Sequence, residues 1–227
     1  MVVGKTIANE FKENHGVDCE LIFNGYNPSI EEKSEVQLDF KFTIVHTGGL
    51  THYRNCPDLW KVLGEMTRES EEFAAKLEIK LVGFAASNVY EAIEKAGLNP
   101  YLNKVPRVDH EESKRIQRSA QMLLLPIDRI ENAEFVLTGK LFEYLQAKRP
   151  ILLIGPSNGD AADIVLKTKA GDVIDFEDIT KLKETLHSRF QLYLQNENNC
   201  LSEGIEQFSY PNLTKQLVGL LNNTEPK

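Results

Sequence analysis

Short apolar runs alternate with segments of helical periodicity along most of this chain of 227 residues. The predicted strands cover residues 42–47, 78–84, 105–108, 122–126, 150–154 and 173–174. The run at 122–126 is apolar throughout, as expected for a strand that is covered on both faces. This alternation predicts an α/β fold with a mainly parallel sheet of about six strands between two layers of helices. We therefore expect a Rossmann-like, three-layer domain.

The segments between these runs are predicted to be helices. They cover residues 57–73, 88–96, 110–119, 139–147, 161–168 and 179–195. The inner face of the first is assigned to Leu59, Trp60, Leu63 and Met66. Ser87 is a predicted N-cap, and Asp109 with Glu112 forms a predicted capping box. In an open sheet of this kind, ligands bind beyond the carboxyl ends of the strands.

The two ends of the chain are predicted to lie outside this core. Residues 1–40 read as a linker helix, a short strand at 21–23 and a polar, Glu-rich stretch from a domain junction. Residues 41–195 form the predicted Rossmann-like domain, and residues 196–227 a crossover helix at 212–221 with a tail. The N-terminal residues have an amphipathic pattern and do not read as a signal peptide.

Composition narrows the classes of function. The net charge of −8, with dispersed basic residues, argues against a nucleic-acid surface. Cys19, Cys56 and Cys200 are widely spaced and predict neither a disulfide framework nor a zinc site. No apolar stretch approaches the roughly 20 residues that a membrane helix needs. A cytoplasmic protein fits these features best.

Two strand-end loops carry the main candidate residues. Gly48 and Gly49 expose backbone amides after a strand, and Arg54 follows where it could reach a bound phosphate. Thr138, Gly139 and Lys140 open a helix whose free N–H groups favour an anion. Glu143, one turn further, could accept hydrogen bonds from ribose hydroxyls. For the first loop, the alternative interpretation is a simple tight turn with Arg54 on the surface. For the second, it is a surface ion pair between Lys140 and Glu143.

Other candidates are weaker. The loop at residues 155–160, with Asp163 beyond it, also opens a helix, but its composition is common. His46, His52 and His110 lie near strand ends and could be general bases or structural histidines. The chain has no GxGxxG, GxSxG, P-loop or HExxH pattern, so the corresponding dinucleotide, hydrolase, kinase and zinc-protease templates fail.

Five segments, in order, resemble the C-terminal, donor-binding domain of retaining, group 1 type glycosyltransferases with the GT-B fold. They are Asn24-Gly25-Tyr26-Asn27, the stretch 44–50 with Arg54 and Leu59, Leu81-Val82-Gly83, the stretch 105–112, and Gly139-Lys140 to Glu143-Tyr144 with Pro150. The resemblance covers roughly residues 2–222.

The resemblance implies a role for each matched position. The amides of Gly48 and Gly49, with Arg54, Thr138, Gly139 and Lys140, would hold the donor diphosphate. Glu143 would bind the ribose, and Arg107 with Val108 would flank the base. The implied activity is sugar transfer from a UDP- or GDP-sugar in polysaccharide biosynthesis, with no metal or other cofactor required.

The chain also departs from the family pattern. Phe135 occupies the position of an earlier Glu that normally faces the donor sugar, which puts sugar recognition in doubt. We expect an excised domain that binds the donor without turnover. Its partner would be a missing N-terminal acceptor domain, through which alone it could associate peripherally with a membrane. A non-catalytic GT-B-like scaffold module and a sugar-nucleotide epimerase on the same architecture remain alternatives.

Overall fold

The computed structural model of the chain describes residues 1–28 and 36–223. Its centre is a sheet of six parallel strands in the order β3-β2-β1-β4-β5-β6. The strands are β1 (Phe42–Leu50), β2 (Leu77–Ala85), β3 (Leu102–Val105), β4 (Met122–Pro126), β5 (Ile151–Ile154) and β6 (Gly171–Ile174). The predicted Rossmann-like sheet is therefore confirmed. The order reverses between β1 and β4, which is the switch point where such sheets bind ligands.

Helices cover both faces of the sheet. They are α1 (Lys5–His15), α2 (Pro57–Glu69), α3 (Glu71–Lys76), α4 (Ser87–Lys95), α5 (His110–Ser119), α6 (Gly139–Ala147), α7 (Asp160–Lys167), α8 (Ile179–Leu194) and α9 (Tyr210–Asn223). One core, on the α2, α4 and α8 side, is built around Trp60 and Phe42. The other lies against α5, α6 and α7 and contains Phe142 and Tyr144. The central strand β4 is buried along its whole length, as its apolar run predicts.

Several predicted boundaries are corrected. The predicted helix at 57–73 breaks at Ser70, which caps α3 by accepting a hydrogen bond from the Phe73 amide at 3.1 Å. The extended piece placed at 105–108 lies earlier, at β3. Ser87 is the first residue of α4 rather than its N-cap. Asp109 does cap α5, through the Glu112 amide at 2.8 Å.

The predicted strand at residues 21–23 is wrong. In the described part of the chain, this segment makes only one isolated bridge, between Val2 and Leu21. A second bridge joins Tyr26 to Ser209, so the segment runs between the two ends of the chain instead of extending the sheet. The Glu-rich stretch predicted before residue 40 falls largely on residues 29–35, and the predicted tail on residues 224–227. Both lie outside the described residues.

Helix α1 is held by α7 and not by a core of its own. The carboxylate of Asp160 accepts hydrogen bonds from the backbone amide of Thr6 at 3.2 Å and from its hydroxyl at 3.0 Å. Lys5 pairs with Asp163 at 2.6 Å. Every side chain of α1 keeps some exposure to solvent. Within residues 1–28 and 36–223, none of the helices is long and apolar enough to cross a membrane.

Candidate functional site

A cleft of about 690 Å³ opens where β1, β2 and β3 end. Its size lies within the range of small-molecule sites, roughly 300–1,000 Å³. The lining residues are Gly48, Gly49, Val82, Gly83, Phe84, Arg107, Val108, Asp109, His110, Ser113, Lys140 and Glu143. Six predicted site residues, Gly48, Gly49, Arg107, Val108, Lys140 and Glu143, are therefore brought together in one cleft.

The floor of the cleft is a pair of glycines in register. Gly48 of β1 is paired with Gly83 of β2, and both have a positive φ, +103° and +104°. A Cβ atom at Gly83 would come within 2.9 Å of the Gly48 carbonyl oxygen. A Cβ at Gly49 would meet no atom within 4 Å of the residues that the structure describes. The backbone at Gly49 is therefore open to a ligand.

Helix α6 begins beside this floor. Thr138 occupies its N-cap position, although its buried hydroxyl has no hydrogen-bond partner among the described residues. Gly139, the first helical residue, leaves open space where a side chain would stand. The hydroxyl of Tyr144 fixes the helix to β1 by accepting a hydrogen bond from the buried Thr47 amide at 3.1 Å. Because α6 follows β4, its first turn, with its free N–H groups, lies at the carboxyl end of the sheet, where ligands bind.

Lys140 and Glu143 interact with each other at the cleft wall. Lys140 Nζ lies 3.3 Å from Glu143 Oε2 and 3.5 Å from Thr47 Oγ1. The side chains are partly buried, with 21% and 34% exposure. The predicted alternatives, an ion pair or a ligand site, are thus not exclusive, since the paired side chains both line the cleft.

Another part of the cleft lining comes from the segment before α5. Arg107 is exposed in the cleft, and the half-buried Val108 packs against the core below it. Phe84, at the end of β2, is 65% exposed although its ring lines the same cleft. An exposed apolar ring and a guanidinium on a cleft wall are suited to contact a flat ring system.

Arg54 is not part of this lining and pairs with Asp128. It donates hydrogen bonds to Oδ2 of Asp128 from Nε at 2.9 Å and from Nη2 at 2.6 Å. The adjacent Arg129 amide donates to the Tyr53 carbonyl at 2.9 Å. These contacts brace the loop that leads from β4 to α6. Arg54, Thr138 and Gly139 are not among the residues that line the cleft.

His46 is a buried structural group. Its Nδ1 lies 3.0 Å from the Leu124 carbonyl oxygen, which fixes the proton on that nitrogen in the neutral ring. Burial lowers its pKa from 6.5 to about 4, and the Leu124 carbonyl opposes the shift while the positive charge of Lys140 adds to it. His46 is therefore neutral near pH 7. His110 lies in the cleft, at the start of α5.

The third predicted loop serves the fold. Asp160, at the end of the loop at residues 155–160, accepts hydrogen bonds from Thr6 in the first turn of α1. In the described ranges, no group of three or more His, Cys, Asp or Glu side chains is placed to hold a metal ion.

Sequence reasoning does not assign Phe84, which lines the cleft, or Gln117, which contacts Glu143, to the site. Gln117 is buried in α5 and donates hydrogen bonds to Thr47 and Glu143. Phe84 was assigned only to a strand. The sequence does contain a feature that indicates a site at Phe84. This residue follows a glycine at the end of a predicted strand, where ligand sites form.

Comparison with known proteins gives matches only at the level of structure. No protein-family model matches the sequence, and no curated protein matches it significantly. Sucrose-phosphate synthase from Thermosynechococcus elongatus superposes with a TM-score of 0.71 at 14% identity, over 98% of this chain and 57% of that protein. A glycosyltransferase from Rickettsia africae superposes with a TM-score of 0.70 at 14% identity, over 97% of this chain and 62% of that protein.

A third similar structure is an S. aureus TarM mutant in complex with fondaparinux, α-GlcNAc-glycerol and UDP. It gives a TM-score of 0.70 at 11% identity, over 97% of this chain and 43% of TarM. The chain thus spans between 43% and 62% of the lengths of these three proteins. Their shared architecture, together with the parallel six-stranded sheet, shows that this chain has the fold of one Rossmann-like half of a GT-B glycosyltransferase, as the resemblance predicted.

Proposed function

We propose that this chain is the donor-binding domain of a glycosyltransferase, which transfers a sugar from a nucleoside-diphosphate sugar to an acceptor. The observation that carries the proposal is the single cleft that gathers Gly49, Lys140, Glu143 and Arg107 at the carboxyl ends of parallel strands. Each suits a different part of one ligand. In this proposal, acceptor binding and transfer require a protein that also carries the second GT-B half.

The diphosphate is assigned to the positive end of the cleft. The backbone amides of Gly48 and of the open Gly49, the ammonium of Lys140, and the first N–H groups of α6 at Gly139 would donate to its oxygens. Sugar transfer leaves negative charge on the departing nucleoside diphosphate. Fixed donors directed at those oxygens lower the barrier electrostatically, so the proposal requires no metal ion.

The nucleoside is assigned to the rest of the cleft. Glu143 would accept hydrogen bonds from the ribose hydroxyls, while Arg107 and Val108 would flank the base. Phe84 offers an additional apolar face on that side. UDP is a suitable first probe because the similar TarM structure was solved with UDP.

Isothermal titration calorimetry of the 227-residue chain against UDP, GDP, ADP and their glucose conjugates tests donor binding. We expect saturable binding of UDP or GDP with a stoichiometry of one. If none of these nucleotides binds or raises the melting temperature, the proposal is contradicted.

The Glu143→Ala variant tests the assignment within the cleft. We expect it to lose about 1–3 kcal/mol of nucleotide binding, the typical cost of leaving polar partners unsatisfied. The matched control is Glu203→Ala, which removes a carboxylate that pairs with Lys169 at 2.8 Å on the exposed surface. The control should bind like the wild type. Equal affinities for all three proteins would remove Glu143 from the site.

One observation favours a second function, a non-catalytic binding module. Phe135, at the position where the family has a Glu that faces the donor sugar, lies in a short helical turn at Ala133–Phe135. A sugar-transfer assay on a protein that contains both GT-B halves distinguishes the two functions. Transfer supports the enzyme, while nucleotide binding without transfer supports the module.

A further inference from the structure

We infer that Gln117 is a positioning residue that aims the Glu143 carboxylate at the ribose of a bound nucleotide. This inference rests on the proposed function and extends it to a residue outside the cleft lining. Gln117 lies in α5, Glu143 lies in α6, and the two helices pack side by side.

The side-chain nitrogen of Gln117, which is a hydrogen-bond donor, faces the carboxylate of Glu143. Its Nε2 lies 3.2 Å from Glu143 Oε2, 3.0 Å from Thr47 Oγ1 and 3.3 Å from Ser113 Oγ. An ionised carboxylate only accepts hydrogen bonds, so the nitrogen of the amide and not its oxygen must face it. The orientation of the Gln117 side chain is therefore fixed by its neighbour.

Two donors converge on the same oxygen of Glu143. Gln117 Nε2 and Lys140 Nζ lie 3.2 Å and 3.3 Å from Oε2, and among the described residues Oε1 has no partner. A carboxylate held through one oxygen presents the other in a fixed direction. Because Glu143 lines the cleft, Oε1 is the oxygen available to a ligand hydroxyl.

Burial makes this arrangement stiff. Gln117 is 1% exposed, so bulk solvent does not take the place of Glu143 as an acceptor of its amide. Thr47, the second acceptor, is 1% exposed and is fixed to Tyr144 through its backbone amide. Gln117 thus connects the end of β1 to the carboxylate of α6. A neutral amide does this without adding a charge beside Lys140 and Glu143.

Binding of UDP and GDP, each compared with its 2′,3′-dideoxy form, tests the inference. We expect the wild type to prefer the ribose form of the nucleotide that it binds. In Gln117→Met, which keeps the length of the side chain but has no N–H donor, affinity for the ribose form should fall about fivefold to tenfold. Affinity for the dideoxy form should change less than about twofold, because that ligand does not use Glu143.

Two further variants keep the test decisive. Gln121→Met removes another buried glutamine, which bonds to Asp39 and Arg149 away from the cleft, and it should leave the ribose preference unchanged. Gln117→Glu preserves the shape of the side chain and should also lose the preference, because a carboxylate would stand beside Glu143. If Gln117→Met or Gln117→Glu retains the wild-type preference, the inference is overturned while the proposed function stands. If the wild type binds neither nucleotide, the proposed function itself fails.

Discussion

The side chain of Lys140 lies directly against the backbone of Gly48. A Cβ atom at Gly48 would come within 3.0 Å of Lys140 Cε and 3.3 Å of its Nζ. Lys140 therefore occupies the space that glycine leaves at the end of β1, and this contact places the ammonium beside the open backbone of the cleft.

Gly48→Ala should disturb both the fold and the site. Its φ of +103° is unfavourable for alanine, which costs at least about 1 kcal/mol, and the methyl group would displace Lys140. Urea denaturation should show lower stability, and nucleotide affinity should fall with it.

Gly49→Ala is the matched control for stability. Because a Cβ there meets no described atom within 4 Å, the free energy of unfolding should change by less than about 0.5 kcal/mol. Nucleotide affinity should nevertheless fall, since the methyl group would stand where the diphosphate approaches. Unchanged affinity in Gly49→Ala would show that the ligand does not contact this backbone.

The pair of Arg54 and Asp128 should be coupled in stability. The side chains are 27% and 17% exposed, so each is costly to leave alone. A double-mutant cycle with Arg54→Ala and Asp128→Ala should give a coupling energy of about 1 kcal/mol in urea denaturation. Additive effects would mean that Arg54 does not brace the loop before α6, and would leave its charge available for a ligand.

Stability should fall on acidification because of His46. Its pKa is about 4 in the folded protein and 6.5 as an ordinary value, so the unfolded chain binds the extra proton between those pH values. The neutral ring therefore contributes its full stability above pH 6.5, and this contribution is lost as the pH falls toward 4. Over this pH range the loss is on the order of 3 kcal/mol.

His46→Gln should remove that part of the pH dependence, because glutamine can still donate to the Leu124 carbonyl but does not titrate. Urea denaturation of both proteins at several pH values between 4 and 7 measures the difference. Parallel curves for the wild type and His46→Gln would exclude His46 as the titrating group.

Tyr144→Phe should destabilise the chain by about 1–3 kcal/mol, because it leaves the buried Thr47 amide without its acceptor. The control is Tyr193→Phe, whose hydroxyl bonds to the Phe40 carbonyl near the surface. Tyr193→Phe should lower the free energy of unfolding by less than about 1 kcal/mol. Equal losses of melting temperature in the two variants would contradict a special role for the contact between α6 and β1.

Local patterns predicted the regular elements well. The helix at Gly139–Ala147 and the strand at Met122–Pro126 agree with their predicted bounds, because flanking polar residues and uniform apolar runs mark them clearly. The strand predicted at residues 21–23 is wrong because strand formation depends on a partner. Among the described residues, Leu21 pairs only with Val2, in one isolated bridge, and that is not enough to form a strand.

Side-chain direction was the harder part of the site. Arg54 follows the glycine turn closely in sequence, yet Asp128, far along the chain, determines where its guanidinium lies. Gln117 reads as an ordinary polar residue of an amphipathic helix. Its burial results from packing between α5 and α6, which no local pattern contains.

The central claim is that one nucleoside diphosphate lies across the cleft from Gly49 to Val108. The most direct measurement follows the backbone amide signals of the ¹⁵N-labelled chain during titration with UDP and GDP. We predict saturable shifts at Gly48, Gly49, Gly83, Val108 and Gly139 with one common dissociation constant. Shifts confined to other surfaces, such as the exposed face of α8 at Lys183 and His187, or no shifts with either nucleotide, would contradict the claim.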